Sequence, residues 1–331
     1  MVSEDSAHTK SSLPLTGSVA VILGSAFSAN PPRELSLHPL KIATPWGDVT
    51  IFEALDVRSD LRTYLVFRHG LPHRTLPHLV NYKAYAFALK TLECKALLIT
   101  SSVGVLDRET PLDHPLLVSD LLMPDQRLPS GEVCTMFDGR SEGHSLESTW
   151  TKNIGDALKP GHLVLKEGLC SSLVSRQVAQ LIREVSPLPD SSAPLKIPEV
   201  VFAYVPGPRT KTPAENRYWS QLGAQVNSMS LGPELVLANE LEIPCAALVI
   251  GHKRSGMGSN ESLLPQFQRC EREKRETKNS RASSLSDQRE MAETLKRSHD
   301  LLESIIVRFL SMAEPVEYQN YLYRFPTPSK N

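Results

Sequence analysis

The order of apolar segments along this chain of 331 residues predicts an α/β fold. Short apolar runs that are typical of buried strands occur at 18–25 (SVAVILGS) and at 95–102 (KALLITSS). Between them, residues 79–92 carry apolar side chains at three- and four-residue steps, which predicts an amphipathic helix. Strands that alternate with helices usually form a sheet that is buried on both faces. We therefore expect a β-sheet covered by helices.

The remaining elements are predicted from the same patterns, in chain order. Further strands are predicted at 48–54, 63–68, 115–122, 162–166, 199–205, 225–230 and 244–250. Further helices are predicted at 171–185, 212–223, 231–241 and 291–313. The last of these rests on apolar residues that recur at helical spacing between Leu295 and Leu310.

Two polar stretches interrupt this pattern. Residues 138–161 are rich in serine, glycine and charge, and residues 257–290 are mixed in charge with few large apolar side chains. Such a composition buries too little apolar surface to offset the entropy of ordering, so a mobile insertion is expected at 257–290. The predicted division is a polar tail 1–16, one domain 17–256 with the insertion 138–161, the charged insertion 257–290, a helix 291–313 of the same domain, and a tail 314–331.

Charge and cysteine content exclude several classes of protein. With 36 basic and 37 acidic residues, the net charge of −1 argues against a nucleic-acid partner. Five cysteines without a C-x-x-C motif indicate free thiols in a reducing compartment rather than disulfides or a zinc ribbon. No apolar run approaches the about 20 residues of a membrane span, and the N-terminus is unlike a secretory signal. We expect a cytoplasmic protein without a membrane partner.

Polar or small residues follow several of the predicted strands. They are Ser25, Arg68, His69, Ser101, Ser102, Ser230, Gly251 and His252. Ligands of α/β sheets bind beyond the carboxyl ends of the strands, so these residues form the first functional signal in the chain.

A series of motifs accompanies these strand ends. They are LGS at 23–25, RHGLPH at 68–73 with NY at 81–82, ITSSVG at 99–104, GPR at 207–209, LGA at 222–224 and NSMS at 227–230 with PE at 233–234. In this order they resemble the motifs of the purine nucleoside phosphorylase and 5′-methylthioadenosine phosphorylase family. His162 and Cys170 also have the spacing of a His and a Cys in the methylthioadenosine branch.

The resemblance implies a single-domain three-layer sandwich around a mixed, partly barrel-like β-sheet. It implies phosphate-dependent cleavage of the N-glycosidic bond of a purine (5′-methylthio)nucleoside, which yields the free base and (5-methylthio)ribose 1-phosphate. The enzyme would be a pentosyltransferase and a homotrimer. Its partners would be the nucleoside and inorganic phosphate, the latter as co-substrate, and no cofactor is expected.

The resemblance also assigns roles to individual residues. Phosphate would be bound by Ser25, Arg68, His69, Ser101, Ser102 and Ser230. Hydroxyls and an arginine suit this dianion, because the guanidinium is a permanently charged fork of donors. Met229 would lie under the ribose, and His162 near the 5′ end of the nucleoside, across a subunit boundary.

The base-binding half departs from the family pattern. The methylthioadenosine branch has T-D-x-D where this chain has Gly251 to Arg254, and the 6-oxopurine branch has glutamate in place of Lys211. Lysine and arginine only donate hydrogen bonds, whereas the amino group of adenine needs acceptors. Either the base is an acceptor-rich ring such as a 6-oxopurine, or the site no longer recognises a purine. Lys211, Lys253 and Arg254 are either base contacts or solvated charges.

Two other residues complete the prediction at this end. His252 is predicted to bind the purine N7 and to protonate the leaving base, because an imidazole can gain and lose a proton near neutral pH. No metal site is predicted: His69, His73 and His78 have no carboxylate at ligand spacing.

The sequence leaves two alternative functions open. The first is a non-catalytic member that binds a nucleoside or serves as an assembly subunit, which the altered segment from Gly251 to Arg254 and the insertions favour. The second is a hydrolase that uses water as nucleophile. Arg68 and Ser230 argue against the hydrolase, since water needs no phosphate-binding site.

Overall fold

The computed structural model describes residues 16–28, 31–137, 158–185, 197–256 and 281–324, with side chains from residue 292 onward in the last range. The strands β1 to β11 are Ser18–Leu23, Ser36–Ile42, Val49–Leu55, Arg62–Phe67, Cys94–Val105, Pro115–Leu122, Gly161–Val164, Glu199–Tyr204, Val226–Ser228, Cys245–Arg254 and Tyr321–Arg324. The helices α1 to α5 are Tyr82–Thr91, Ser172–Val185, Pro213–Gln221, Gly232–Glu240 and Arg281–Met312, and short 3-10 helices cover Ser25–Phe27 and Pro77–Leu79. Within these ranges, no helix combines the length and the apolar character needed to cross a membrane.

Nine strands form one mixed sheet, and part of it closes into a ring. β10 pairs parallel with β5 and antiparallel with β6, while β9 pairs antiparallel with β5 and parallel with β8. The parallel pair β6 and β8 completes the ring. β1, β4, β3 and β2 continue the sheet outward from β5. The predicted α/β fold around a mixed, partly barrel-like sheet is therefore confirmed.

β1 illustrates why the central strands are apolar on both faces. All six of its residues are buried. Ala20 and Ile22 pack into a core that includes residues of α1 and α4, whereas Val19, Val21 and Leu23 pack into a second core with residues of α2 and α5. A strand between two cores requires a continuous apolar run rather than an alternating one. The sheet is therefore the middle layer of a three-layer sandwich.

Parallel pairing brings the polar strand ends to one edge of the sheet. Leu23 at the end of β1 is opposite Phe67 at the end of β4. β10 pairs with the other edge of β5, where Ser102 of β5 is opposite Ile250 of β10. The residues that follow these positions therefore emerge at the same edge, as the sequence predicts.

The structure differs from the sequence prediction in three places. β2 is not predicted, because it is a mostly exposed edge strand that contains Pro39 and has no apolar run. β11 lies within 314–331, which is predicted as a tail, and it pairs with β7. α5 begins at Arg281, inside the predicted mobile insertion 257–290. A polar composition does not distinguish a polar helix from a mobile segment, so the predicted helix 291–313 begins ten residues after the observed one.

Other parts of the predicted division lie outside the described residues. These are most of the tail 1–16, most of the insertion 138–161 and the first part of 257–290.

The described cysteines behave as small buried apolar residues. Cys94, Cys134, Cys170 and Cys245 are free and buried, and Cys270 lies outside the described residues. Burial raises the pKa of Cys94, Cys134 and Cys170 to about 12, because the thiolate is penalised in an apolar environment. These thiols are therefore uncharged at neutral pH and unsuited to nucleophilic chemistry.

Candidate active site

Arg68, the residue after β4, is fully buried at the polar edge of the sheet. Its Nη1 donates to the Oγ of Ser230 at 2.7 Å, and its Nη2 donates to the carbonyl oxygen of Thr100 at 2.6 Å. Its Nε lies 3.1 Å from a carboxylate oxygen of Glu234. A buried guanidinium is tolerated only when it is paired and hydrogen-bonded, and these contacts fix it at the end of β5.

Glu234 lies in the first turn of α4 and is the acidic partner of Arg68. Burial raises the pKa of Glu234, although Arg68 beside it favours the ionised form. Its Oε2 is buried and has no hydrogen-bond partner among the described residues. The carboxylate is thus incompletely satisfied, and Arg68 is its main source of stabilisation.

Serine hydroxyls surround Arg68. The Oγ of Ser101 lies 3.4 Å from the Oγ of Ser230 and 3.4 Å from that of Ser228, and the Ser228 hydroxyl donates to the carbonyl oxygen of Ser102 at 3.1 Å. Ser102 itself is exposed. The structure therefore joins three of the predicted phosphate residues, Arg68, Ser101 and Ser230, in one network that we call the Arg68 cluster, to which Ser228 and Glu234 also belong.

The loop after β1 lies beside the Arg68 cluster. The backbone N of Gly24 donates to Oγ1 of Thr100 at 3.3 Å, and Thr100 donates in turn to the carbonyl oxygen of Ile22 at 3.0 Å. Ser25 follows and is exposed. The structure therefore places Ser25 at the polar edge of the sheet but outside the Arg68 cluster.

His69 is held by its own loop. Its Nδ1 lies 2.9 Å from the carbonyl oxygen of Thr75, and its ring stacks on His73 with centroids 4.9 Å apart. Burial, with a contribution from Arg68, lowers the pKa of His69 to about 4. The ring is therefore neutral at pH 7 with its proton on Nδ1, since a carbonyl oxygen only accepts. Nε2 is left as an acceptor, which suits the P–OH of hydrogen phosphate rather than its charged oxygens.

Of the predicted ribose and base residues, Lys211 lies on the loop after β8, and Met229 lies against the start of this loop. A Cβ on Gly207 would lie 3.0 Å from the Sδ of Met229, so this loop passes directly against the half-buried Met229. The loop is fixed by Arg209, which forms a two-pronged ion pair with Glu215 at 2.7 and 2.8 Å. Lys211 is half-buried, and burial lowers its pKa to about 8, although Glu215 opposes the shift.

His252 lies at an irregularity of β10, where the register with β5 shifts between Gly251 and Lys253. Its Nδ1 lies 2.7 Å from Oδ1 of Asp113. The next two residues are exposed, but they differ in their contacts. Arg254 donates to the carbonyl oxygens of Asp107, Arg108 and Thr110, and so fastens the loop after β5. The predicted role of Arg254 as a base contact competes with these bonds.

His162 lies on β7, outside the nine-stranded sheet. It is exposed, and its strand pairs with β11, where His162 is opposite Tyr323. The structure thus places it outside the sheet whose edge carries the Arg68 cluster. Its predicted contact with the 5′ end of a nucleoside stays a prediction.

Two groups of residues were missed by the sequence prediction. Ser228 and Glu234 belong to motifs quoted above. Their closeness in the sequence to Met229 and Ser230 was the signal that could have identified them as site residues. His299, Asp300 and Glu303 of α5 have potential ligand atoms within 4.8 Å of one another. Of these, His299 contacts the segment after β1, where its ring lies 4.5 Å from that of Phe27.

A sheet that carries a buried arginine and converging hydroxyls at its strand ends defines an α/β protein whose sheet edge has the hydrogen-bond donors that an anion would require. Comparison with known families agrees with this class, since the model of the Phosphorylase superfamily matches residues 18–279. The chain belongs to this superfamily, whose members are enzymes.

Individual relatives place the chain among nucleoside phosphorylases. It is 31% identical over 236 residues to a protein of Methanopyrus kandleri named probable S-methyl-5′-thioinosine phosphorylase, covering 70% of this chain and 77% of the relative. It is 28% identical to the 6-oxopurine nucleoside phosphorylase of Pyrococcus furiosus, with the same coverage. The methylthioadenosine phosphorylase of Schistosoma mansoni, solved with adenine, shares the fold with a TM-score of 0.65 at 20% identity, over 90% of this chain and 92% of that one. The predicted family is therefore confirmed.

Proposed function

We propose that the protein catalyses phosphorolysis of a purine (5′-methylthio)nucleoside, releasing the free base and (5-methylthio)ribose 1-phosphate. The observation that carries this proposal is the fully buried Arg68 with Ser230 and Ser101 beside it at the strand ends. Membership of the Phosphorylase superfamily and the names of the relatives support it.

The chemistry requires orientation and charge rather than a protein nucleophile. A phosphate oxygen forms a bond to C1′ of the sugar while the bond from C1′ to the base nitrogen breaks, and the sugar has oxocarbenium character at the transition state. Arg68 and the serine hydroxyls hold the phosphate dianion beside this developing cation, and the neutral His69 accepts the P–OH. Inorganic phosphate is the co-substrate, and no cofactor takes part in the proposed reaction.

We further propose that the base is a 6-oxopurine. Lys211 is a donor that stays mostly protonated at neutral pH, because its pKa is about 8. It suits the O6 of hypoxanthine or guanine, whereas the amino group of adenine would meet a second donor. The nearby carboxylate of Glu215 is engaged by Arg209 and by the backbone N of Thr212, so it is not free to accept from adenine.

The assembly and location follow by resemblance alone. We propose a cytoplasmic homotrimer in which His162 of one subunit contacts the 5′ substituent bound in its neighbour. Size-exclusion chromatography with light scattering tests the trimer. A His162→Ala variant should raise KM for 5′-methylthio nucleosides more than for the corresponding 5′-hydroxy nucleosides, and equal effects on both would contradict this role.

One assay tests the central proposal. Purified protein is incubated with inosine, guanosine, methylthioinosine, adenosine and methylthioadenosine, each with and without phosphate, and free base and sugar 1-phosphate are measured. We expect base release that depends on phosphate and is fastest with the 6-oxopurine nucleosides. Release without phosphate would identify a hydrolase, and absence of turnover together with absence of phosphate binding would identify a non-catalytic member.

A further inference from the structure

His252 and Asp113 form a second pair of side chains at the strand ends, outside the Arg68 cluster. Nδ1 of His252 lies 2.7 Å from Oδ1 of Asp113, and about a quarter of each side chain is exposed, 27% and 26% respectively. The two residues are 139 positions apart in the chain. Their contact exists because β10 and β6 are neighbours in the ring, and Asp113 lies just before β6.

The backbone of Asp113 is fixed from two sides. Its N–H donates to the carbonyl oxygen of Gly251 at 2.8 Å, and its carbonyl oxygen accepts from the Oγ of the buried Ser298 of α5 at 3.4 Å. Its φ of 59° is in the left-handed region, which aspartate and asparagine tolerate better than most residues. The carboxylate is therefore presented to His252 from a rigid position.

His252 is itself aimed by the irregularity in β10. The register with β5 shifts between Gly251 and Lys253, so His252 is the additional residue. Bulges of this kind redirect a side chain and are frequent beside active sites. His252 is two positions after Ile250, and Ile250 is opposite Ser102, one of the predicted phosphate residues.

The contact with Asp113 determines which ring nitrogen is available to a ligand. An ionised carboxylate only accepts hydrogen bonds, so Nδ1 of His252 must carry a proton. Nε2 then remains for a ligand, and it has no partner among the residues that the structure describes. In a histidine with this kind of partner, the carboxylate fixes the ring orientation and offsets the charge of the imidazolium.

We propose that Asp113 is the positioning residue for His252, and that the pair delivers a proton to N7 of the leaving purine. This inference rests on the proposed phosphorolysis. As the phosphate oxygen bonds to C1′, the electron pair of the broken bond moves into the purine, and N7 takes the proton from Nε2 of the protonated His252. The imidazole is left neutral with Nδ1–H still donated to Asp113, and solvent restores the proton on Nε2.

The test compares two leaving groups. Guanosine needs a proton at N7 when its base leaves. In 7-methylguanosine, N7 already carries a methyl group and the imidazole part of the base is positively charged, so this base leaves without taking up a proton. Variants Asp113→Asn and His252→Ala are assayed with both nucleosides at saturating phosphate. Asparagine tolerates the left-handed backbone of Asp113, so this variant removes the charge and leaves the loop unstrained.

We expect each variant to lower kcat for guanosine at least tenfold, a threshold set below the about 10²- to 10⁴-fold that a general acid typically contributes. The kcat for 7-methylguanosine should stay within about twofold of the wild-type value, and the double variant should be no slower than His252→Ala, since residues that act as a unit are not additive. The exposed Asp125, changed to asparagine, is the matched control and should leave both rates unchanged.

The outcomes separate the inference from the function on which it rests. Wild-type protein that cleaves neither nucleoside overturns the proposed phosphorolysis. Wild-type activity with equal losses on both nucleosides in Asp113→Asn would show a merely structural role, and unchanged guanosine cleavage would show no role at all. A ¹⁵N spectrum of the wild-type histidines, assigned with His252→Ala, must also show the proton on Nδ1 of His252; a proton only on Nε2 at high pH would overturn the proposed orientation.

Discussion

The proposed phosphate end and the proposed base end of the candidate site are built differently. At the phosphate end, Arg68, Ser230 and Glu234 are all buried, and each contacts another member of the Arg68 cluster. At the base end, Lys211 is half-buried with no hydrogen bond to another described side chain, and Lys253 is exposed. The first end is a pre-organised network, while the second consists of side chains that are still largely available to a ligand.

This difference indicates which part of the proposed site tolerates substitution. A buried network is difficult to alter, because loss of one partner leaves another charge or hydroxyl unsatisfied. Half-exposed side chains on a loop can be exchanged at little cost in stability. We therefore expect substitutions to be tolerated better at the proposed base end than at the proposed phosphate end.

The largest effect is expected from removal of the buried cation. Arg68→Met should abolish phosphorolysis, with a loss of at least 10³-fold, and should lower the free energy of unfolding by about 3–5 kcal/mol because Glu234 is left buried without its partner. Urea denaturation and the nucleoside assay measure the two effects.

A double variant separates the effect of Arg68→Met on stability from its effect on activity. Adding Glu234→Gln to Arg68→Met replaces the unpaired carboxylate with a neutral amide and should recover much of the lost stability, but none of the activity. Recovery of activity in the double variant would show that Arg68 acts only as the partner of Glu234.

Reversing the charge at Lys211 tests the base end directly. Lys211→Glu should shift the ratio of kcat/KM for inosine over adenosine by about 10²-fold toward adenosine, because a carboxylate accepts from the adenine amino group and repels O6. The free energy of unfolding should change little. Lys296→Glu makes the same charge change at an exposed position of α5, outside the proposed base end, and serves as the control. If the two variants shift the ratio equally, Lys211 does not contact the base and acts only through net charge.

Features that depend on local sequence patterns were predictable, whereas contacts between residues far apart in the chain were not. Strands such as β1 and β5 have continuous apolar runs, so the sheet, its layers and the polar edge follow from local patterns. The contacts between Arg68 and Glu234 and between Asp113 and His252 join residues far apart in the chain. They depend on closure of the strand ring and on the backbone of Asp113, which no local pattern encodes. β2 and β11 were missed because edge strands with one solvated face carry little apolar signal.

The pH dependence of base recognition provides a smaller effect. Burial penalises the charged form of Lys211 and lowers its pKa to about 8, so the ammonium donor is present below this pH and lost above it. In the wild-type protein, kcat/KM for inosine should fall about tenfold between pH 8 and pH 9.5. Lys211→Arg keeps its charge over this range, so its profile should lack that fall. Parallel profiles for the two proteins would assign the decrease to another group.

Arg254 should give the smallest effect, although it is a cation in the segment that departs from the family motif. Its guanidinium already donates to the carbonyl oxygens of Arg108 and Thr110, and Asp107 holds the same loop through bonds to the backbone N of Glu109 and Thr110. Contact with a base would require Arg254 to give up its bonds to the loop. Arg254→Gln should therefore change the ratio of inosine to adenosine cleavage by less than about threefold, while lowering the free energy of unfolding by about 1 kcal/mol. A change in this ratio as large as that of Lys211→Glu would place Arg254 against the base, and would mean that the loop after β5 is released when the nucleoside binds.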